Sequence, residues 1–95
     1  MRLAILALVL PAAASCATTH DADWLSSAKA LEFRDRVVQL ALIYGDSSGI
    51  DPQGFKILTR APRAVAVGGC ADVEVVTSKD RDVVRREMVH ACRAH

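Results

Sequence analysis

Asparagine is absent from the 95 residues, and aromatic side chains are scarce: Trp24, Phe33, Tyr44 and Phe55 make up 4%. Four scattered rings cannot build a base-stacking platform for single-stranded nucleic acid or an aromatic groove for a sugar. An excess of either charge is also missing. Twelve Lys and Arg face eleven Asp and Glu, a formal net charge of +1 at pH 7. Nucleic acid calls for a basic stripe and an anionic membrane surface for a basic patch, and this balance supplies neither. No nucleic-acid partner is expected.

Long apolar runs are lacking too. The longest, residues 3–10, has eight members, about 12 Å as a helix against a bilayer core of about 30 Å. What surrounds that run is informative. Met1-Arg2 is positive, Pro11 ends the run, and Ala12, Ala13, Ala14, Ser15, Cys16 and Ala17 are all small. This order is that of a secretory signal peptide over residues 1–17.

Two processing readings stay open. Ser15-Cys16-Ala17 offers a small-x-small site with cleavage before Thr18. Alternatively, Ala13-Ala14-Ser15-Cys16 resembles the lipobox of bacterial lipoproteins, with Ala13 standing where that family prefers Leu. The resemblance covers these four residues and not the folded domain. It implies cleavage before Cys16, lipid attached to Cys16, and a membrane held through that anchor. In that family an Asp after the Cys retains the protein at the inner membrane. Ala17 stands there, which implies the outer membrane. The lipoprotein reading is preferred.

About 80 residues then remain for one small domain. Such a chain buries roughly 60% of its unfolded surface, so its core is marginal and a staple is commonly needed. There are three cysteines, Cys16, Cys70 and Cys92. Lipidation consumes the first and cleavage after Ala17 removes it, so either way Cys70 and Cys92 form a pair. Export puts them where disulfides persist. The bridge would contribute on the order of 3 kcal/mol.

Residues 18–23 read as a polar tether and residues 24–95 as the domain. From Ala22 to Tyr44 there is no Gly or Pro. Ala30, Phe33, Val37, Leu40, Ala41 and Tyr44 recur at spacings of three and four, the pattern of one helix face. Asp23 and Ser26 are N-cap candidates, and Gly45 sits where a C-cap belongs. Residues 46–54 are dense in Asp, Ser, Gly and Pro and read as a loop. Residues 55–58 and 64–67 are candidate short strands.

Val73, Val75 and Val76 read as a strand. Beyond Ser78 two readings compete. In one, residues 79–82 turn and residues 83–92 return as the second arm of a hairpin, with Cys70 and Cys92 equidistant from Arg81. In the other, Thr77 or Ser78 caps a helix carrying Val84, Met88 and Ala91 on one face, with Asp80 and Asp82 in its first turn. The hairpin is preferred because it explains the cysteine spacing. The expected fold is α+β: one amphipathic helix on a small antiparallel sheet ending in a hairpin, stapled by Cys70–Cys92.

The chemical candidates are few. Residues 45–49 match G-x-S-x-G, but a nucleophile elbow needs a strand-to-helix turn in a large sheet. His90, Cys92 and His95 have the types of metal ligands, yet a disulfide would occupy Cys92, so this reads as a solvated tail. Asp46 and Asp51 flank the loop and read as turn formers. Trp24 reads as packing under the domain. Arg81, Arg85, Arg86 and Arg93, together with the 45–54 loop, are the candidate partner surface. The expectation is a non-catalytic envelope lipoprotein without cofactor, binding an envelope protein or the cell wall. The alternative is a soluble periplasmic inhibitor or immunity-type binder.

Overall fold

The computed structural model describes residues 19–95. The signal peptide and Cys16 lie outside the described residues. Two helices, α1 (Thr19–Leu25) and α2 (Ala28–Tyr44), precede four strands, β1 (Asp46–Ile50), β2 (Lys56–Arg60), β3 (Cys70–Lys79) and β4 (Asp82–Cys92). The strands form an antiparallel sheet in chain order, and α2 packs on one of its faces. The fold is the expected α+β one, and the segment after Ser78 is a strand.

α2 starts at Ser27, not at Asp23 or Ser26. Ser27 is extended, and its Oγ accepts from the Ala30 N–H at 3.2 Å, satisfying one of the donors that a helix start leaves free. At the other end Gly45 takes φ 96° and its N–H returns to the Ala41 carbonyl. That backbone region favours glycine, as the sequence implies.

The buried stripe of α2 is Ala30, Val37, Val38, Ala41 and Leu42. Leu40 and Tyr44 are exposed, contrary to the expected face. The helix is rotated so that Val38 and Leu42 meet the sheet and Leu40 falls on the opposite flank. Ile57, Val73 and Val75 of the sheet and Phe55, just before β2, complete the core, and Leu25 of α1 closes one end.

Three expectations fail in the connections. The segment 18–23, read as a tether, contributes Thr19–Asp23 to α1. That helix is docked by its own side chains: Asp21 pairs with Lys79, and Trp24 donates to Asp51. Within the expected 45–54 loop lies a strand, β1. Residues 64–67 form no strand. The Val65 N–H instead caps the Leu42 carbonyl at 2.8 Å, and Ala66 to Gly69 is a turn.

The β3–β4 hairpin settles the cysteine geometry. Asp80 and Arg81 both have positive φ, 52° and 76°, the two-residue turn whose twist matches that of the flanking strands. Lys79 pairs with Asp82 and Ser78 with Val83, but Thr77 pairs with Arg85. Val84 is therefore one extra residue on β4, a bulge. With no bulge, the same turn would set Cys70 opposite Ala91. The inserted residue moves Cys92 opposite Cys70, and the two are bonded.

Candidate functional site

The register sorts side chains onto two faces. Toward α2 point Ser47 and Gly49 of β1, Ile57 and Thr59 of β2, Val73, Val75 and Thr77 of β3, and Arg85, Glu87, Val89 and Ala91 of β4. Nothing among the described residues covers the other face. It carries exposed apolar side chains (Ile50, Leu58, Met88) and, between them, Lys56, Arg60, Glu74 and Arg86. A groove of ≈ 350 Å³ runs over it, lined by Asp46, Ser48, Leu58, Arg60, Glu74 and Val76. Arg86 reaches across to Glu74 at 3.8 Å.

The four arginines expected to form one surface do not converge. Arg81 is exposed at the tip of the hairpin. Arg85 lies on the helix side, where it donates to the Leu25 carbonyl at 3.2 Å and lies 3.5 Å from Glu87. Arg86 is on the open face. Arg93 is past the far end of β4 and donates to the Val65 carbonyl at 2.9 Å. Strand alternation separates adjacent residues 85 and 86, and the length of β4 separates 81 from 93. Of the four, only Arg86 belongs to the open face. Arg85 and Glu87 are instead part of an inward polar cluster with Arg34 of α2, which binds Glu87 at 3.2 Å.

Both carboxylate oxygens of Asp51 are engaged. The residue is 5% exposed. Its Oδ1 accepts from the N–H groups of Gln53 and Phe55, both at 2.9 Å, and its Oδ2 from Trp24 Nε1 at 2.8 Å. The side chain thus shapes the β1–β2 turn and ties α1 to it. This is the turn role expected of Asp51, and Trp24 packs against the core as expected. Asp46 stands at the other end of β1, so the two do not share a cleft. Ser47 of the G-x-S-x-G match follows a helix and begins a strand, the reverse of an elbow, and faces α2.

At the disulfide end of the open face, two rungs of the ladder lie side by side: Cys70 opposite Cys92, and Asp72 opposite His90. His90 Nδ1 is 2.8 Å from Asp72 Oδ1. The two sulfurs and a ring nitrogen of His90 lie within 4.8 Å of one another. His95 is outside this group and lies beside Gly68. Cys70, Cys92 and His90 stand out in the sequence, the first two as a disulfide pair; Asp72 does not. The strand alternation of the hairpin reading was the signal that would have added Asp72.

The two ends of the molecule differ. The chain comes in through α1 at the end holding the β1–β2 and β3–β4 turns, through Asp21–Lys79 and Trp24–Asp51. The disulfide, the 61–69 connection and the C-terminus lie at the other. No described helix is long and apolar enough to cross a membrane. No protein-family model, curated protein or solved structure matches this chain.

Proposed function

We propose that this chain is a small bacterial envelope lipoprotein, anchored through lipid on Cys16, that binds a neighbouring envelope protein through the open face of its sheet and does no catalysis itself. The observation that carries the reading is that face. A four-stranded sheet covered by a helix on one side alone leaves apolar side chains in water. Here they alternate with charges of both signs, Arg60 and Arg86 beside Glu74.

That mixture suits a protein surface, which offers complementary charges and apolar atoms together. The cell wall is the less fitting occupant. The two long strands, β3 and β4, run about 34 Å and the two five-residue strands about 17 Å, all about 4.8 Å apart, so the face spans roughly 500 Å². A stable complex takes about 800 Å² from each partner. A membrane anchor makes up the difference by raising the effective concentration of two proteins held at one surface. The Ala17 position favours the outer membrane, with the domain on the periplasmic side.

Intact mass of the mature protein from its native host tests the anchor. A chain beginning at Cys16 with diacylglyceryl and acyl groups is expected, and Cys16→Ser should move the domain to the soluble fraction. A chain beginning at Thr18 would overturn the anchor and leave a soluble periplasmic binder. A photoreactive residue at position 58 should crosslink to one discrete protein, whereas one at position 29 on α2 should not. Crosslinking to peptidoglycan alone would replace the protein partner by the cell wall.

A further inference from the structure

The corner built by Cys70, Cys92, His90 and Asp72 has a second chemical state. In the oxidised chain both sulfurs are spent on each other. Once reduced, the same positions present two thiols and an imidazole on one exposed face of an antiparallel ladder. His90 and Cys92 are two residues apart on β4 and so share a side, and Cys70 stands across from Cys92. Asp72 Oδ1 stands 2.8 Å from His90 Nδ1, and the neutral tautomer that donates to this carboxylate presents the Nε2 lone pair to a metal. A carboxylate in that role fixes the tautomer and orientation of metal-binding histidines.

We propose that reduction of the Cys70–Cys92 disulfide opens a zinc site whose ligands are the two thiolates and His90, with Asp72 as a positioning residue. The balance is explicit. A dithiol reductant gives two electrons and two protons to the disulfide; the S–S bond breaks, Cys70 and Cys92 become thiols, and the dithiol leaves as its own disulfide. Zn²⁺ then displaces both thiol protons and forms two Zn–S bonds and one Zn–N bond. Two thiolates neutralise the ion. Three protein ligands leave a fourth position facing solvent, where water completes a tetrahedron.

The backbone needs little adjustment. With Zn–S of about 2.3 Å, tetrahedral sulfurs sit about 3.8 Å apart, a separation reached by rotating the two side chains. The strands stay in register on both sides of the rung. Arg93 and Gly69 are hydrogen-bonded beyond it, at 2.7 Å, and the β3–β4 ladder continues before it. The metal would therefore cross-link the same two strands that the disulfide does. The bridge is exposed at both cysteines, so a reductant can reach it.

The test uses the full chain with Cys16→Ser, whose only thiols are then Cys70 and Cys92. Protein reduced with a phosphine under anaerobic conditions is titrated with Zn²⁺ against a chromophoric chelator. One equivalent is expected to bind the reduced chain and none the oxidised chain. His90→Ala should weaken binding at least tenfold and Asp72→Asn severalfold, while His95→Ala changes nothing. Zinc should also raise the thermal midpoint of the reduced chain and not that of the oxidised one. Equal binding by oxidised and reduced protein would overturn the site. So would equal losses for His90→Ala and His95→Ala, the mark of zinc held by an unfolded chain.

Discussion

The Trp24–Asp51 contact predicts a specific pattern of stabilities. Asp51 Oδ1 serves the turn, taking the N–H groups of Gln53 and Phe55, while Oδ2 alone serves Trp24. Asp51→Asn can keep the turn by placing its carbonyl oxygen at Oδ1. Its amide nitrogen then points a donor at the indole N–H, which is also a donor. A hydrogen bond to a charged group contributes about 1.5–3 kcal/mol, and a buried polar group left without a partner costs about 1–3 kcal/mol. Asp51→Asn should therefore lose about 2 kcal/mol. Trp24→Phe should lose a similar amount, since it strands Oδ2 in a site only 5% exposed. Combining the two removes both the mismatch and the stranded acceptor. The double variant should fall well short of the sum, with a coupling of about 1.5 kcal/mol. Asp51→Ala also frees the buried Phe55 N–H and should lose about 3–4 kcal/mol. Urea unfolding followed by far-ultraviolet circular dichroism reads all four. With a slope of about 1 kcal/mol/M for a domain of this size, Asp51→Asn and Trp24→Phe each shift the midpoint by about 2 M and Asp51→Ala by about 3–4 M. Additive losses, or an Asp51→Asn midpoint within a few tenths of the parent, would refute the assignment of Oδ2 to Trp24.

Other positions give independent checks. Reducing Cys70–Cys92, which closes a separation of 22 residues, should lower stability by about 3 kcal/mol in metal-free buffer; an unchanged urea midpoint with reductant would contradict this. A Cβ at Gly49 would stand 3.0 Å from Phe33 Cζ and 3.4 Å from Val37 Cγ2, so Gly49→Val should lose about 1–3 kcal/mol by overpacking. Trimming the ring with Phe33→Leu should recover part of that loss, and a melting curve for each variant decides. Arg81 holds φ 76° in the hairpin turn, and Arg81→Gly relieves a backbone conformation that costs an L-residue about 1–2 kcal/mol. Allowing for the extra freedom of glycine when unfolded, a gain of roughly 0.5–1 kcal/mol is expected; a loss would mean that the Arg81 side chain supports the turn.

The hairpin and its bridge were legible because two cysteines equidistant from Arg81 admit a simple pairing, and export gives them a reason to bond. β1 was not legible. Strands announce themselves by alternating apolar residues, and its inward positions are Ser47 and Gly49. The structure explains that choice, since α2 lies so close that Phe33 occupies the room a side chain at 49 would need. α1 was missed for a related reason. Its docking rests on residues far along the chain, among them Lys79 paired with Asp21, Asp51 accepting from Trp24, Arg85 donating to the Leu25 carbonyl and the core that buries Leu25, which no local pattern reveals. The four arginines are neighbours in sequence but not in space, so they form no single surface. The preferred hairpin already placed Arg85 and Arg86 on opposite faces. It also placed His90 beside Cys92 and, through the register, Asp72 beside His90. Those parts of the candidate sites were present in the pattern of twos along β3 and β4.

β4 is an edge strand of eleven residues, and the outward N–H and C=O groups of its alternate residues are a template on which a strand from another molecule could grow. Three features work against that. The Val84 bulge breaks the regular spacing near one end. Midway, Arg85 and Glu87 turn charge toward the helix side, where an added strand would have to desolvate it. At the far end Gln39 stands in for a neighbouring strand: its amide donates to the Cys92 carbonyl and accepts from the Ala94 N–H, both at 2.9 Å. β1, the opposite margin, is only five residues long. Strand-to-strand polymerisation is thus discouraged at both borders, even though no described residue covers one broad face of the sheet.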